Sequence, residues 1–330
     1  MKKLINDADD YVDEMLDGMV AAHPDAVRRL PETKVLVRSD APVEGTVGVV
    51  SGGGSGHEPT HAGYLGEGML DGAAAGEVFT SPTGDELAEM VRACDGGEGV
   101  LCVVKNYEGD VMNFDTAAEM AEIQGDVAVE QVVVNDDVAV EDSTYTSGRR
   151  GVCGTILVHK CAGAKAAEGA DLDEVKRVAE KTIENVATMG TALTSCVTPA
   201  KGEPTFDLGE DELELGIGIH GEPGVERTGM LSADEVADRL TAAVLDDLEP
   251  SGEVATVVNG MGGTPLSELY IVQRRLSELL DEEGLDVAEA MVGDYMTSLD
   301  MRGCSITVLD LDDELRELLG RPAHTPALTV

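Results

Sequence analysis

Apolar positions in the first half of the chain fall into short runs separated by segments of helical spacing. Three of these runs are typical of buried strands: 46–50 (TVGVV), 100–105 (VLCVVK) and 132–134 (VVV). Between them, apolar residues of 85–94 and 115–123 recur at helical intervals. Strands that alternate with helices predict a largely parallel sheet. Ligands bind beyond the carboxyl ends of such strands, where GGGSGH and NYEGD both fall.

The clearest helical pattern covers residues 171–190 (DLDEVKRVAEKTIENVATMG), with Gly190 as its predicted C-terminal cap. The pattern then changes to strict alternation at 213–219 (LELGIGI), which predicts a strand that ends at His220. We therefore predict two α/β domains, each with a mostly parallel or mixed sheet flanked by helices. The first spans residues 1–190 and carries the glycine turn and Asp110, and the second spans 191–330 and carries His220.

Local signals place further elements in the second domain. Ser232 and Glu235 form a capping box that begins a helix over 232–248. Residues 254–258 and 305–309 are predicted strands. Between them, Thr264 is the predicted cap of a helix with proline in its first position.

The charge balance is extreme, because 65 acidic residues stand against 23 basic ones and the net charge is −42. The acidic residues are spread along the whole chain. Such a surface repels nucleic acid and anionic membranes, and its self-repulsion needs high salt to screen it. We interpret the excess as adaptation to a halophilic cytoplasm of haloarchaeal type. An acidic protein from an ordinary cytoplasm is the alternative.

Neither export nor membrane insertion is predicted. Only two apolar residues follow Met1-Lys2-Lys3 before the first charges, so no signal peptide is predicted. No apolar run approaches the roughly 18 residues of a membrane span. None of the six cysteines forms C-x-x-C. These features predict a cytoplasmic protein with reduced thiols.

The stretch from His57 to His61 (HEPTH) matches the zinc-peptidase pattern H-E-x-x-H. Zinc binding needs both histidines one turn apart on a regular helix. Pro59 and the preceding glycines allow a helix to begin no earlier than Glu58, so we predict no metal site. The glycines suggest instead a turn whose N–H groups bind an oxygen-rich ligand, although a tight turn without a ligand fits equally well.

Two histidines and one acid remain as candidates for chemistry. His57 and His220 each follow a predicted strand within a glycine-flanked HEP or HGEP turn, which exposes an imidazole at the edge of a pocket. Asp110 follows a predicted strand and has Lys105 nearby in sequence. The alternative for Asp110 is an N-cap of the next helix.

Together these pieces resemble the dihydroxyacetone-binding subunit (DhaK) of dihydroxyacetone kinase. The resemblance runs in family order through most of the chain. It rests on GVVSGGGSGHEPTHAGY (48–64), VVKNYEGDVMNF (103–114), VNDDVAV (134–140), TSGRRGVCGTILVHKCAGA (146–164), GIGIHGEPG (216–224), VNGMGGTPLSELYI (258–271) and YMTSLDMRGCSITVL (295–309).

The resemblance implies a role for each candidate. His220 matches the histidine that forms a covalent hemiaminal with the substrate carbonyl, and His57 matches the one that hydrogen-bonds the substrate and assists proton transfer. Asp110 matches the acid that takes the proton from the attacking hydroxyl. A neutral imidazole adds to a ketone or aldehyde but not to a polyol, so capture selects short carbonyl sugars. The positions that match the lining of the triose pocket are Gly54, Ser55, Gly56 and Lys105.

The resemblance also implies the partners. This chain is expected to bind no cofactor, and Mg-ADP or Mg-ATP is expected on a separate DhaL-type subunit. In the phosphotransferase-system version a DhaM-type phosphocarrier recharges that nucleotide, and a homodimer is implied. Two alternatives stay open: a coregulator that senses dihydroxyacetone without kinase activity, and a fatty-acid-binding subunit of related architecture.

Overall fold

The computed structural model describes residues 2–125, 127–140 and 147–330. Within these residues the strands form two six-stranded sheets flanked by helices, so the predicted fold class is confirmed. The strands are β1 (Val27–Arg29), β2 (Val35–Arg38), β3 (Gly48–Ser55), β4 (Gly72–Val78), β5 (Val100–Lys105), β6 (Val129–Val134), β7 (Val186–Ala192), β8 (Glu212–Leu215), β9 (Glu226–Gly229), β10 (Glu253–Gly260), β11 (Asp286–Gly293) and β12 (Gly303–Leu311).

The helices lie between and beside the sheets, and no helix among the described residues combines the length and the apolar character needed to cross a membrane. They are α1 (Tyr11–Ala22), α2 (Gly84–Cys94), α3 (Glu108–Gly125), α4 (Thr155–Ala167), α5 (Leu172–Glu184), α6 (Ala233–Leu248), α7 (Leu266–Glu282) and α8 (Asp313–Leu319).

The first sheet has the strand order β1-β2-β4-β3-β5-β6. Its four strands β4, β3, β5 and β6 are parallel, as the alternation of strands and helices predicts. Their carboxyl ends therefore meet at one edge, which we call the carboxyl edge. The loops that leave this edge carry most of the residues discussed below.

The second sheet has the order β11-β10-β12-β7-β8-β9 and is mostly antiparallel. Strand β7 belongs to it and crosses position 190, where the sequence pattern places the domain boundary. The predicted helix 171–190 is correspondingly too long, because α5 ends at Glu184. The residues that follow are buried on both faces and pair with β12, a contact that a local pattern does not reveal.

Two other predicted boundaries in the second sheet are wrong. The strand predicted over 213–219 ends at Leu215, and the chain then turns at Gly216, whose φ is +75°. The helix predicted to be capped by Thr264 begins at Leu266 with Pro265 as its N-cap. The Thr264 hydroxyl instead donates to the carbonyl of Gly303 at 2.7 Å. The capping box of Ser232 and Glu235 is confirmed.

Helix α4 joins the two sheets into one core. Nearly all of its residues are buried, which is typical of a helix with apolar surroundings on every side. Leu157 of α4 shares a cluster of buried side chains with Val49 and Leu101 of the first sheet and with Val257 and Leu309 of the second. Packing against these shared side chains therefore fixes the position of one sheet relative to the other.

Candidate active site

The glycines before His57 lie in a strand, which corrects the predicted glycine turn. Gly52, Gly53 and Gly54 pair with β4, and β3 continues to Ser55. Their partners in β4 are also small residues, so the glycines sit naturally at a close approach of two strands. The turn begins only at Gly56, whose φ of +100° is in the region that favours glycine.

The segment after His57 is likewise not the predicted α-helix. It forms turns and a short 3₁₀ helix (Ala62–Tyr64), and several of its polar groups bond to a loop of the second sheet. The Thr297 N–H donates to the His57 carbonyl at 3.3 Å, and the Thr297 hydroxyl donates to the Glu58 carbonyl at 2.9 Å. The hydroxyl of Thr60 donates to the carbonyl of Tyr295 at 3.0 Å. These hydrogen bonds therefore link the carboxyl edge of the first sheet to a loop of the second sheet.

The second histidine of HEPTH points to a different environment. His61 Nδ1 lies 3.2 Å from Ser51 Oγ and 3.0 Å from His159 Nε2, inside a buried polar cluster. His57 makes its hydrogen bond elsewhere, to Thr297. Among the described residues, no group of three or more His, Cys, Asp or Glu side chains is arranged to hold a metal ion.

The imidazole of His57 is held as a neutral ring. Its Nδ1 lies 2.8 Å from the carbonyl oxygen of Thr297, which only accepts, so Nδ1 carries the hydrogen. Its Nε2 is buried and has no hydrogen-bond partner among the residues that the structure describes. Burial lowers the pKa of His57 well below its usual range, and the charges of Lys105 and His220 lower it further. Nε2 therefore presents a lone pair.

The imidazole of His220 is oriented by Glu222. Its Nδ1 lies 2.7 Å from Glu222 Oε1, and its backbone N–H donates to Glu222 Oε2 at 2.9 Å. Burial acts to raise the pKa of Glu222, but His220 and Arg150 lower it to about 2. The ionised carboxylate accepts the Nδ1 hydrogen, so in the neutral form of the ring the lone pair lies on Nε2.

The two imidazoles meet edge to face between aromatic side chains. The centroids of the His57 and His220 rings are 4.7 Å apart, at 77°. Phe79 stacks on His57 at 5.0 Å, and Tyr107 meets the His220 ring edge to face at 4.7 Å. Phe79 holds a left-handed φ of +58°, which costs on the order of 1 kcal/mol for a residue with a side chain. Surrounding contacts must hold the ring in place against this cost.

Asp110 and Lys105 face the same point beside β3. Both are buried, at 4% and 1% exposure. A Cβ built on Gly53 would lie 3.1 Å from Lys105 Nζ and 3.5 Å from Asp110 Oδ2. Burial raises the pKa of Asp110, and the charge of Lys105 and a hydrogen bond from Ser81 oppose the rise. Burial lowers the pKa of Lys105, against the opposing charges of Asp110 and Glu222.

The N-cap alternative for Asp110 is wrong. Helix α3 begins at Glu108, seven residues before the predicted start at 115, so Asp110 lies inside its first turn. Its carboxylate atom Oδ1 is buried without a hydrogen-bond partner in the part of the chain that the structure describes. A buried carboxylate with a free oxygen and a raised pKa is suited to accept a proton.

The remaining predicted pocket residues shape the loops around the histidines. Gly54 packs closely on the Phe79–Thr80 backbone, since a Cβ there would lie 2.6 Å from Thr80 N. The Ser55 hydroxyl donates to the carbonyl of Gly76 at 2.7 Å. The Gly56 N–H donates to Glu58 Oε1 at 2.9 Å.

Sequence reasoning missed several neighbours of the two imidazoles. Glu222 and Tyr107 lie within the quoted motifs HGEP and KNYEGD, and their position between candidate residues was the available signal. Phe79 lies at the end of β4, where the parallel order of the strands brings it to the carboxyl edge. Arg150 lies in the quoted motif at 146–164, but it stands 70 positions before His220, and nothing in that motif indicates which residue the guanidinium contacts.

Comparisons with known proteins agree on one family. The Dak1 domain model matches residues 17–327. The dihydroxyacetone-binding subunit DhaK of PTS-dependent dihydroxyacetone kinase 1 from Listeria innocua is 52% identical, over 95% of each chain. A crystal structure of the C. freundii dihydroxyacetone kinase with AMP-PNP and Mg2+ has a TM-score of 0.92 at 35% identity, and covers 98% of this chain and 60% of its own. The dihydroxyacetone kinase operon co-activator DhaQ has a TM-score of 0.89 at 36% identity, over 95% of this chain and 97% of its own.

Proposed function

Because the chain belongs to the Dak1 family, we propose that it is the dihydroxyacetone-binding subunit of a dihydroxyacetone kinase. It captures dihydroxyacetone at His220 and presents a terminal hydroxyl for phosphorylation to dihydroxyacetone phosphate. The observation that supports this most directly is the hydrogen bond from His220 Nδ1 to Glu222, which in the neutral ring places the lone pair on Nε2, beside His57.

Capture forms a hemiaminal. The Nε2 lone pair of His220 attacks the carbonyl carbon, and the π electrons of the C=O bond move to oxygen. That oxygen gains a proton from solvent, passed through His57 Nε2. The His220 ring becomes a cation, whose Nδ1–H remains hydrogen-bonded to the ionised Glu222 carboxylate. Release reverses these steps. A polyol has no carbonyl for this addition, so glycerol is excluded by chemistry rather than by size.

Phosphoryl transfer then uses Asp110. The carboxylate accepts the proton of the terminal hydroxyl, whose oxygen attacks the terminal phosphorus of the nucleotide. The O–P bond forms as the bond to the leaving ADP breaks. Covalent capture fixes the hydroxyl in place, and positioning is most of what phosphoryl transfer needs. Lys105 beside Asp110 offers a positive charge to the pocket.

The phosphoryl donor is proposed to lie on a second chain. A DhaL-type subunit with Mg-ADP or Mg-ATP would meet the pocket between the two sheets, and this chain itself is proposed to bind no cofactor. The names of the relatives include PTS-dependent forms, which favours a DhaM-type phosphocarrier as the source of phosphate. Turnover with free ATP, compared with turnover with a phosphocarrier, identifies the source.

The second candidate function is a coregulator that senses dihydroxyacetone, which the similarity to the DhaQ co-activator favours. A sensor needs capture alone. The presence of the buried acid Asp110 beside Lys105 supports the kinase, because a proton acceptor serves no purpose in capture. Both functions predict the same adduct and differ only in turnover.

The experiment uses dihydroxyacetone labelled with carbon-13 at its carbonyl. The kinase proposal expects a tetrahedral carbon signal with the wild-type chain, its loss in His220→Asn, and turnover when a DhaL-type partner is added. If the wild-type chain gave no tetrahedral carbon signal, the proposal of covalent capture would be refuted. A signal without turnover, using an authentic partner, would favour the sensor.

We also propose a homodimer in a cytoplasm of high salt. Leu266, Tyr270 and Ile271 of α7 are about half exposed, and β11 has one unpaired edge among the described strands with mostly exposed side chains. Light scattering of the wild type and of Tyr270→Lys tests this surface. The acidic excess of the sequence supports the halophilic interpretation.

A further inference from the structure

We propose that Arg150 and Asp137 are positioning residues, which act through Glu222 to hold His220 in its reactive tautomer. The proposal rests on the proposed function, because it concerns the same histidine. It adds a buried charged network that runs from the carboxyl edge of the first sheet to the loop that carries His220.

Arg150 is fully buried and ties that loop to the first sheet. Its Nε donates to Asp137 Oδ2 at 2.7 Å, and its Nη2 pairs with the same oxygen at 2.6 Å. Nη2 also donates to the carbonyl of Gly216 at 2.8 Å, in the loop that leads to His220. Asp137 follows β6, so the guanidinium connects the two sheets at the site.

The remaining nitrogen of Arg150 faces Glu222. A Cβ built on Gly218 would lie 2.6 Å from Arg150 Nη1 and 2.1 Å from Glu222 Oε2. No side chain fits there, so glycine allows the guanidinium to approach the carboxylate. Nη1 has no hydrogen-bond partner among the described residues. Asp137 shares the charge of the guanidinium, and the part of that charge at Nη1 lies beside Glu222 and lowers the pKa of its carboxyl.

The charge of Glu222 decides which ring nitrogen of His220 reacts. Glu222 is 3% exposed, and burial favours the neutral carboxyl. A neutral carboxyl would donate its hydrogen to Nδ1, which moves the ring hydrogen to Nε2 and removes the nucleophilic lone pair. Arg150 opposes this change, because its positive charge lowers the pKa of Glu222.

Several charged or titratable groups lie around Glu222. Lys105 and His220 favour the carboxylate, as Arg150 does, while the ring of Tyr107 and the carboxylate of Asp137 lie nearby. Arg150 differs from the others because its guanidinium stays charged at every working pH. Its loss therefore removes, at every pH, a positive charge that favours the ionised form of Glu222.

A buried Arg–Asp pair also serves stability alone, so the test must read the tautomer. Long-range proton–nitrogen spectra of the His220 ring distinguish hydrogen on Nδ1 from hydrogen on Nε2 without any ligand. The carbon-13 signal of bound dihydroxyacetone then measures capture across pH. The variants are Arg150→Met, Arg150→Lys and Glu222→Gln.

In the wild type we expect hydrogen on Nδ1 across the neutral range. Arg150→Met raises the pKa of Glu222, so we expect loss of the Nδ1 tautomer and of capture to begin at a higher pH than in the wild type, and capture to return as the pH rises. Arg150→Lys restores the Nδ1 tautomer in part. Glu222→Gln gives mixed tautomers and low capture at every pH, since glutamine does not titrate.

Arg38→Met is the matched control. It removes a guanidinium from another largely buried pair, with Asp71, away from the histidines. It should leave the His220 spectrum and the pH profile of capture unchanged.

Other results would overturn the proposal. One such result is that capture by Arg150→Met depends on pH as it does in the wild type. Another is that Arg150→Met loses capture equally at every pH while the ring hydrogen of His220 stays on Nδ1. If Arg150→Met does not fold, the proposal is overturned when Glu222→Gln keeps the ring hydrogen on Nδ1 and captures dihydroxyacetone fully. A wild type that captures nothing contradicts the proposed function, while the tautomer spectra still test the network.

Discussion

Replacement of Gly53 by alanine tests the pocket between Lys105 and Asp110 with one methyl group. The new Cβ would lie 3.1 Å from Lys105 Nζ, 3.2 Å from Lys105 Cε and 3.5 Å from Asp110 Oδ2. The last distance is an ordinary contact. The first two are tighter than the roughly 3.5–4.0 Å of optimal packing, so the lysine must recede by about half an ångström.

The effect on activity should exceed the effect on stability. A misplacement of about 1 Å at a reacting centre costs around 100-fold in rate, so half that shift predicts about a tenfold loss of kcat/KM. In the strand, alanine is favoured over glycine by about 0.5–1 kcal/mol, which offsets part of the crowding. We expect the free energy of unfolding to change by less than about 2 kcal/mol.

The assay follows phosphorylation of dihydroxyacetone with a DhaL-type partner, together with denaturant unfolding of each variant. Gly18→Ala is the matched control, because Gly18 lies in α1 and its added Cβ would meet no described atom within 4 Å apart from its own helix backbone and chain neighbours. It should stabilise the chain by about 1 kcal/mol and leave kcat/KM unchanged. Wild-type kcat/KM in Gly53→Ala, or a loss that merely follows unfolding, would refute the assignment of this pocket.

Four further predictions concern Asp110, the cap of α6 and the surface charge. Asp110→Asn should lower kcat by about 10²–10⁴-fold and leave capture intact. In the wild type, burial raises the pKa of Asp110 and the base form is required, so kcat should fall with decreasing pH at a value above the usual aspartate range; a profile shared with Asp110→Asn would contradict this. Ser232→Ala should lose about 1 kcal/mol in denaturant melts with unchanged kcat/KM, because it removes the cap of α6; an unchanged melt would show that the cap contributes nothing. The unfolding temperature should rise from low to molar salt, and a constant value would exclude the halophilic interpretation.

Short-range sequence signals correctly predicted those elements whose structure depends on residues close together in the chain. The Ser232–Glu235 box involves neighbouring groups, and β5 is a short apolar run with a clear end. From the order of strands and helices it followed that Lys105 and the glycines share one edge of a sheet. The edge itself was therefore predictable, although its side-chain contacts were not.

Two of the wrong predictions share one cause, which is pairing between distant segments. The tendency of glycine toward turns belongs to single residues, whereas Gly53 lies in a strand because Ala75 lies beside it in β4. The helical spacing of 171–190 continues past Glu184, yet Gly190 pairs with Ser305 in β12. Neither partner can be read from the segment that it changes.

The bond between His57 and Thr297 has a consequence for synthesis of the chain. The two residues are 240 positions apart, and the carbonyl that fixes the His57 ring is made long after the ring itself. At about 5–20 residues per second, a ribosome needs roughly ten to fifty seconds to cover that distance. A nascent chain therefore carries Lys105 and Asp110 for most of its synthesis without an oriented histidine pair. Reactive carbonyl compounds in the cell meet a competent site only after the second sheet is complete.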